Sequence, residues 1–217
     1  GVTYSREELK GLADVLLSHP HVLIATDDMY EHIIWSKEPF ANIVNVCEEL
    51  FPRTIVLNGV SKAYAMTGWR IGYAGGPRTL IQAMKKVQSQ STSNPAAVSQ
   101  AAAQEALDGD QSCIQPMLTA FKERHDYVVQ TLNRMPGVRC TESDGTFYSF
   151  PDFSAAIASL EGVNDDVELA EFFLQKASVA LVPGSAFGAP GYLRLSFATS
   201  MDVLETALGR LKRALNS

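Results

Sequence analysis

A chain of 217 residues with 46% hydrophobic and 19% charged positions has material for one large folded domain or two smaller ones. Its formal net charge of −6 leaves no basic excess, so composition offers no case for a nucleic-acid partner or an anionic membrane surface. The three cysteines, Cys47, Cys113 and Cys140, show no CxxC spacing; neither a disulfide framework nor a zinc site is indicated, and buried thiols in a reducing cytoplasm are expected.

The first elements read clearly. Ser5-Arg-Glu-Glu8 is a capping box, and Leu9, Leu12, Ala13, Leu16 and Leu17 follow at helical spacing. The predicted helix stops before His19-Pro20. Residues 22–25 form a short continuous apolar run, the pattern of a buried parallel strand. That strand delivers Thr26-Asp27-Asp28-Met29-Tyr30 at its C-terminal end, the edge where ligands sit in open α/β sheets. A short helix is predicted over 41–50, ended by Phe51-Pro52, and a strand over 54–57.

Next comes Asn58 to Pro77, NGVSKAYAMTGWRIGYAGGP. Its one lysine, Lys62, is set among small and apolar residues, and Arg70 lies eight positions on. A poorly solvated lysine loses part of its preference for the charged form, as a Schiff-base lysine must. A guanidinium offers a planar donor fork suited to phosphate. Together they point to an aldehyde cofactor that carries a phosphate. The spacing alone is weak, because most lysines are solvated surface residues. A strand over 71–74 ends at Gly75-Gly76-Pro77, which matches neither the dinucleotide fingerprint nor a Walker loop.

Helices are predicted over 78–87, from Asn94-Pro95 (cap and first helical position) to about 108, and over 111–134, the last stopped by Met135-Pro136-Gly137. Strands over 138–141, 146–150, 179–182 and 192–197 alternate with a helix over 168–177 and a loop over 183–188. Ser200 is placed as the cap of a final helix with the stripe Leu204, Leu208, Leu211 and Leu215. Arg194 sits inside the strand Tyr-Leu-Arg-Leu-Ser-Phe-Ala-Thr, where an isolated arginine is usually a paired surface residue. His19, His21, His32 and His125 have no motif behind them and receive no role.

The whole run Ser61-Lys62-Ala-Tyr-Ala-Met-Thr-Gly-Trp-Arg70-Ile-Gly-Tyr resembles the cofactor-lysine segment of pyridoxal-phosphate-dependent class I aminotransferases, in particular the bacterial aspartate (aspartate/prephenate) branch. Asp27-x-x-Tyr30 and Arg194-Leu-Ser-Phe-Ala resemble two further motifs of that family. The resemblance covers essentially all 217 residues but only about half of a family chain, and the opening Gly1-Val-Thr is similar to a segment in the middle of family members. A C-terminal half is therefore expected. The implied fold is α/β, the C-terminal part of a fold-type I transferase. Residues 1–112 would belong to the large, mostly parallel-sheet cofactor domain and 113–217 to the small C-terminal domain.

The resemblance also implies roles. Lys62 would be the catalytic, cofactor-bonding lysine. Asp27 would pair with the pyridine nitrogen and Tyr30 with the ring hydroxyl. Arg70 and Ser61 would hold phosphate, and Arg194 the substrate α-carboxylate. Many relatives carry serine three residues before the lysine, where this chain has Gly59. The expected reaction is transamination between an amino acid, aspartate or glutamate first, and a 2-oxo acid, in amino-acid metabolism and biosynthesis. A cytoplasmic homodimer is implied, with neither nucleic acid nor membrane as partner, and the fragment alone is expected to be inactive. Three rival readings differ in class. One is a related enzyme doing β-elimination (a C-S lyase) or aminocyclopropane formation. Another is the aminotransferase-like effector domain of a transcription regulator. The third is an inactive stable fragment.

Overall fold

The computed structural model describes residues 1–216, which fall into two compact units: an N-terminal unit, Thr3–Met117, and a C-terminal unit from Leu118 onward that includes Gly1–Val2. The N-terminal unit contains α1 (Arg6–Leu17), β1 (Ile24–Asp27), α2 (Ile43–Val46), β2 (Thr54–Gly59), β3 (Gly72–Gly75), α3 (Arg78–Ser89) and α4 (Ala97–Asp108), and the start of α5 (Ile114–Leu132). Its sheet runs β1-β2-β3; β1 pairs with β2 in parallel and β2 with β3 antiparallel.

The capping box forms as read. Ser5 Oγ accepts from Glu8 N at 3.2 Å, and the Glu8 carboxylate accepts from Ser5 N at 2.7 Å. Leu9 and Ala13 of α1 then bury with Ala41, Ile43 and Leu50 to make a small core under the sheet. Strand β1 starts two residues later than predicted. The carbonyl of Val22 is taken by the Arg53 side chain at 2.6 Å, so ladder pairing begins only at Ile24, opposite Thr54. The strand is also not buried on both faces: Ile24 and Thr26 are half-buried, while Ala25 and Asp27 are exposed. The predicted helix over 41–50 is broken. Cys47 is extended, and a 3-10 helix over Glu48–Arg53 follows, passing through Pro52 rather than ending at it. Asn94 does not cap α4. Its side chain donates to the Pro95 carbonyl, and the helix begins after Ala96 with no side-chain cap.

The C-terminal unit holds most of α5, then β4 (Tyr148–Ser149), α6 (Ser154–Ser159), α7 (Asp166–Ala177), β5 (Val182–Pro183), β6 (Leu193–Ser196) and α8 (Met201–Leu215). The antiparallel sheet has the order β4-β6-β5. Phe153, Phe173 and Phe197 are fully buried with Leu169, Leu193, Leu208 and Leu211. The last-helix stripe is present, with Ala214 rather than Leu215 completing its buried end. Ser200 occupies the cap position, but its hydroxyl makes no cap bond.

The predicted strands here are longer than the observed ones. Residues 138–141 form no strand. A single bridge joins Arg139 to Asp152, and the Cys140 N–H and carbonyl are both bonded at 2.8 Å by the Asn133 side chain. Helix α6 was not anticipated; its Ser-Ala-Ala-Ile-Ala-Ser sequence is too short to establish a period. Residues 184–187, expected as loop, form a turn of 3-10 helix. Gly137 is required where it stands. Its φ is +71°, and an added Cβ would lie 2.6 Å from the Ala156 nitrogen.

Only one of the three cysteines is buried: Cys140 is enclosed, Cys47 half-buried and Cys113 exposed. Burial, partly offset by the Ser149 hydroxyl, pushes the Cys140 thiol up to about 11. Labelling with a disulfide thiol reagent at neutral pH is therefore expected to modify Cys113 at once and Cys140 only after denaturation. Rapid native-state modification of Cys140, read by peptide mapping, would contradict this placement.

Among the described residues no helix is long and apolar enough to cross a membrane, and no cluster of His, Cys, Asp and Glu could hold a metal ion.

Candidate active site

Two parallel strands end side by side in the N-terminal unit. Asp27, the last residue of β1, pairs in register with Leu57 of β2, and β2 runs on through Gly59 and Val60 to Lys62. The two candidate loops therefore leave the same edge of the sheet. The Lys62 Nζ stands 6.0 Å from the centre of the Tyr30 ring. Tyr30 and Lys62 are both half-buried.

The two adjacent aspartates have different jobs. Asp28 turns inward and is 7% exposed. Its carboxylate accepts from the Thr26 hydroxyl at 2.7 Å and from the Asn42 side chain. Asn42 in turn caps α2, so Asp28 secures the fold behind the strand end. Asp27 is exposed and accepts from the Met29 N–H at 3.3 Å. Among the described residues, no basic side chain forms an ion pair with it. The loop after it is tied to β2 by Asn58, whose side chain donates to Glu31 at 2.7 Å. That bond was not legible in the sequence, where Asn58 has no motif role.

The lysine-bearing loop is knitted by its own backbone. Ala65 N donates to the Lys62 carbonyl at 3.1 Å, and the Thr67 hydroxyl donates to the Ser61 carbonyl at 3.0 Å. Arg70 closes the loop: its Nη1 donates to the Thr67 carbonyl at 2.9 Å. Ala65 and Arg70 both adopt left-handed backbone conformations, with φ of 52° and 56°. Non-glycine residues in that region are costly, and such strain is concentrated at functional sites. The Arg70 guanidinium is exposed, and among the described residues no carboxylate pairs with it.

Gly59 has a structural reason. A Cβ there would lie 2.8 Å from the Ile71 carbonyl oxygen and 3.1 Å from Gly72 Cα, because β3 crosses closely at that point. A side chain at this position has no room against β3 as it stands.

Arg194 belongs to the C-terminal unit. It lies on β6, the central strand, opposite Val182 of β5. Its guanidinium carbon is 4.5 Å from the Tyr148 ring centre and 4.9 Å from that of Phe187. Such rings attract the cation and restrict its plane. Among the described residues, no carboxylate forms an ion pair with Arg194. Neither aromatic neighbour was singled out in the sequence, because a cross-strand partner and a loop aromatic become visible only once β4 and the 184–187 turn are placed.

The donor set of the N-terminal unit matches a phosphorylated pyridine aldehyde. Among the described residues, it has a primary amine, a carboxylate with no ion-pair partner, a phenol beside the amine, and a guanidinium with no carboxylate paired to it. A class I and II aminotransferase family model matches residues 1–211. The chain is 54% identical to the aspartate/prephenate aminotransferase of Nitrosomonas europaea, covering all of this chain and 56% of that protein. The crystal structure of the aspartate aminotransferase from Rhizobium meliloti superimposes with a TM-score of 0.94 at 44% identity, covering 99% of this chain and 55% of that one. An aromatic aminotransferase from Pyrococcus horikoshii OT3 gives 0.90 at 33% identity, covering 99% and 56%. The chain thus spans about half the length of the curated relatives it matches. Enzymes of this class use pyridoxal phosphate. On sequence and on fold, the chain belongs to the class I and II aminotransferases.

Proposed function

We propose that the full-length protein carrying this chain transfers an amino group between an amino acid and a 2-oxo acid, using pyridoxal phosphate. The observation that carries this reading is the pairing of Lys62 and Tyr30, 6.0 Å apart, at the strand edge that also presents Asp27. When bound, the cofactor supplies an electron sink for the pair released at the substrate α-carbon.

The chain's own residues do the rest. Asp27 offers a negative charge that keeps a facing pyridine nitrogen protonated. Tyr30 places a phenol beside the lysine amine and tunes the ring hydroxyl. Arg70 anchors phosphate with a donor fork, and Ser61 contributes a hydroxyl to the same group. Lys62 would serve as the base that accepts the substrate α-proton and then, protonated, as the acid that gives it up. Arg194 offers its donor fork to the substrate α-carboxylate. Residues 1–112 form part of the cofactor-binding domain and 113–217 the small domain.

The names of the relatives support aspartate as amino donor, with prephenate, a 2-oxo acid, as a further amino acceptor. A homodimer in the cytoplasm, serving amino-acid biosynthesis, completes the reading. The 217-residue chain alone is expected to show little or no turnover of aspartate with 2-oxoglutarate, because it spans about half of its relatives' length.

Borohydride reduction after incubation with pyridoxal phosphate, followed by peptide mapping, tests the site. The reduced cofactor is expected mainly on Lys62 in the full-length protein. Labelling spread over surface lysines there would refute the assignment.

A further inference from the structure

Asp166 is 1% exposed, yet it is the first residue of α7 and makes no ion pair among the described residues. Its neighbour Asp165 already caps the helix, accepting from Val167 N at 2.9 Å and Glu168 N at 2.8 Å. Asp166 therefore serves something other than the helix end. One carboxylate oxygen accepts from Ser185 N at 2.8 Å and the other from Gly191 N at 3.2 Å.

Those two amides are the two ends of one loop. Gly184 N donates to the Tyr192 carbonyl at 2.7 Å and closes it at the base. Gly191, with φ of +86°, makes the turn back into β6, where Arg194 follows three residues later. Between the two anchors stands Phe187, 51% exposed, with its ring 4.9 Å from the Arg194 guanidinium and 6.0 Å from the Phe150 ring. A buried anion thus fixes the front and the back of the segment that places an aromatic ring on the arginine.

We propose that Asp166 is a positioning residue for substrate carboxylate binding, acting through the 184–191 loop to hold Phe187 against the Arg194 guanidinium. The inference rests on the reading of Arg194 as the carboxylate-binding arginine. A guanidinium held in one plane loses less freedom when it forms a bidentate pair, so the anchor appears in affinity rather than in the chemical step. Burial raises the Asp166 pKa, but the N–H groups of Ser185 and Gly191 outweigh it and leave the carboxyl below its ordinary value. The anchor is therefore an anion that accepts from both amides.

The substitution Asp166→Asn keeps the volume but sets an amide NH2 against one of the two backbone N–H groups. In the full-length enzyme it is expected to raise the KM for L-aspartate and the Kd for succinate, an unreactive dicarboxylate, roughly fivefold, with kcat within about twofold. Phe187→Ala, at an exposed position, tests the same link without disturbing the buried group and is expected to raise both constants roughly threefold. Unchanged KM and Kd in Phe187→Ala would overturn the proposal. So would an Asp166→Asn enzyme that loses only thermal stability. Arg194→Lys separates the two levels. If it leaves both constants unchanged, Arg194 is not the carboxylate site, and the inference falls with that reading. If it raises them while the other two variants do not, only the positioning role fails.

Discussion

Replacing Lys62 with alanine is expected to slow transamination by the full-length enzyme by roughly four orders of magnitude, the upper range of general acid–base catalysis. The amine stands 6.0 Å from the Tyr30 ring centre at the strand edge, and in the proposed mechanism both proton movements depend on it. The fold is expected to survive. The Lys62 carbonyl accepts from Ala65 N, and alanine keeps that loop bond. Steady-state rates with aspartate and 2-oxoglutarate, set beside a circular-dichroism melt, give both readouts. Near-normal turnover in Lys62→Ala would defeat the mechanism. Lost activity with a collapsed melting curve would show instead that the lysine holds the loop together.

The largest effect on stability is expected at Arg53, which has no part in the chemistry. Its guanidinium reaches three backbone carbonyls at the junction of α1 and β1: Leu16 at 2.5 Å, His19 at 3.1 Å and Val22 at 2.6 Å. Leu16 and His19 also accept from the backbone N–H groups of His19 and Val22, so the arginine is a second donor to both. It thereby ties the end of α1 and the entry of β1 to the segment before β2. Arg53→Ala leaves those carbonyls without that donor and is expected to cost about 3 kcal/mol, the scale of charge-assisted bonds at a partly exposed position. Arg53→Lys should recover only a minor share, because one ammonium cannot span three acceptors that a planar fork reaches. Both tryptophans of the chain, Trp35 and Trp69, lie in the N-terminal unit, so their fluorescence during urea unfolding reports the relevant transition. An unchanged midpoint in Arg53→Ala would show that water satisfies the carbonyls equally well.

The same arginine explains where sequence reading stopped. Apolar spacing located α1, α7 and α8 well, because each buries a stripe that repeats with the helical period. It misplaced the start of β1 because a side chain 31 residues away occupies a carbonyl that would otherwise begin the ladder. It drew a strand over 138–141 because the residues suit one, and the observed structure there is set by a single asparagine on the preceding segment. Lys62, Arg70, Asp27, Tyr30 and Arg194 were legible as motif residues. Asp166 was not, since Asp165-Asp166 reads as a doubled helix cap, and only the folded loop shows which of the two is buried. Composition placed all three thiols indoors, although one stands in solvent.

The Asn133 clasp also bears on how this protein avoids joining its neighbours. Arg139 exchanges both of its backbone bonds with Asp152, and the Cys140 N–H and carbonyl are both taken by the Asn133 side chain. Left unpaired, an extended donor and acceptor are the usual template for β-pairing. Here a side-chain amide already occupies the donor and the acceptor at Cys140, imitating the partner strand that must be kept away.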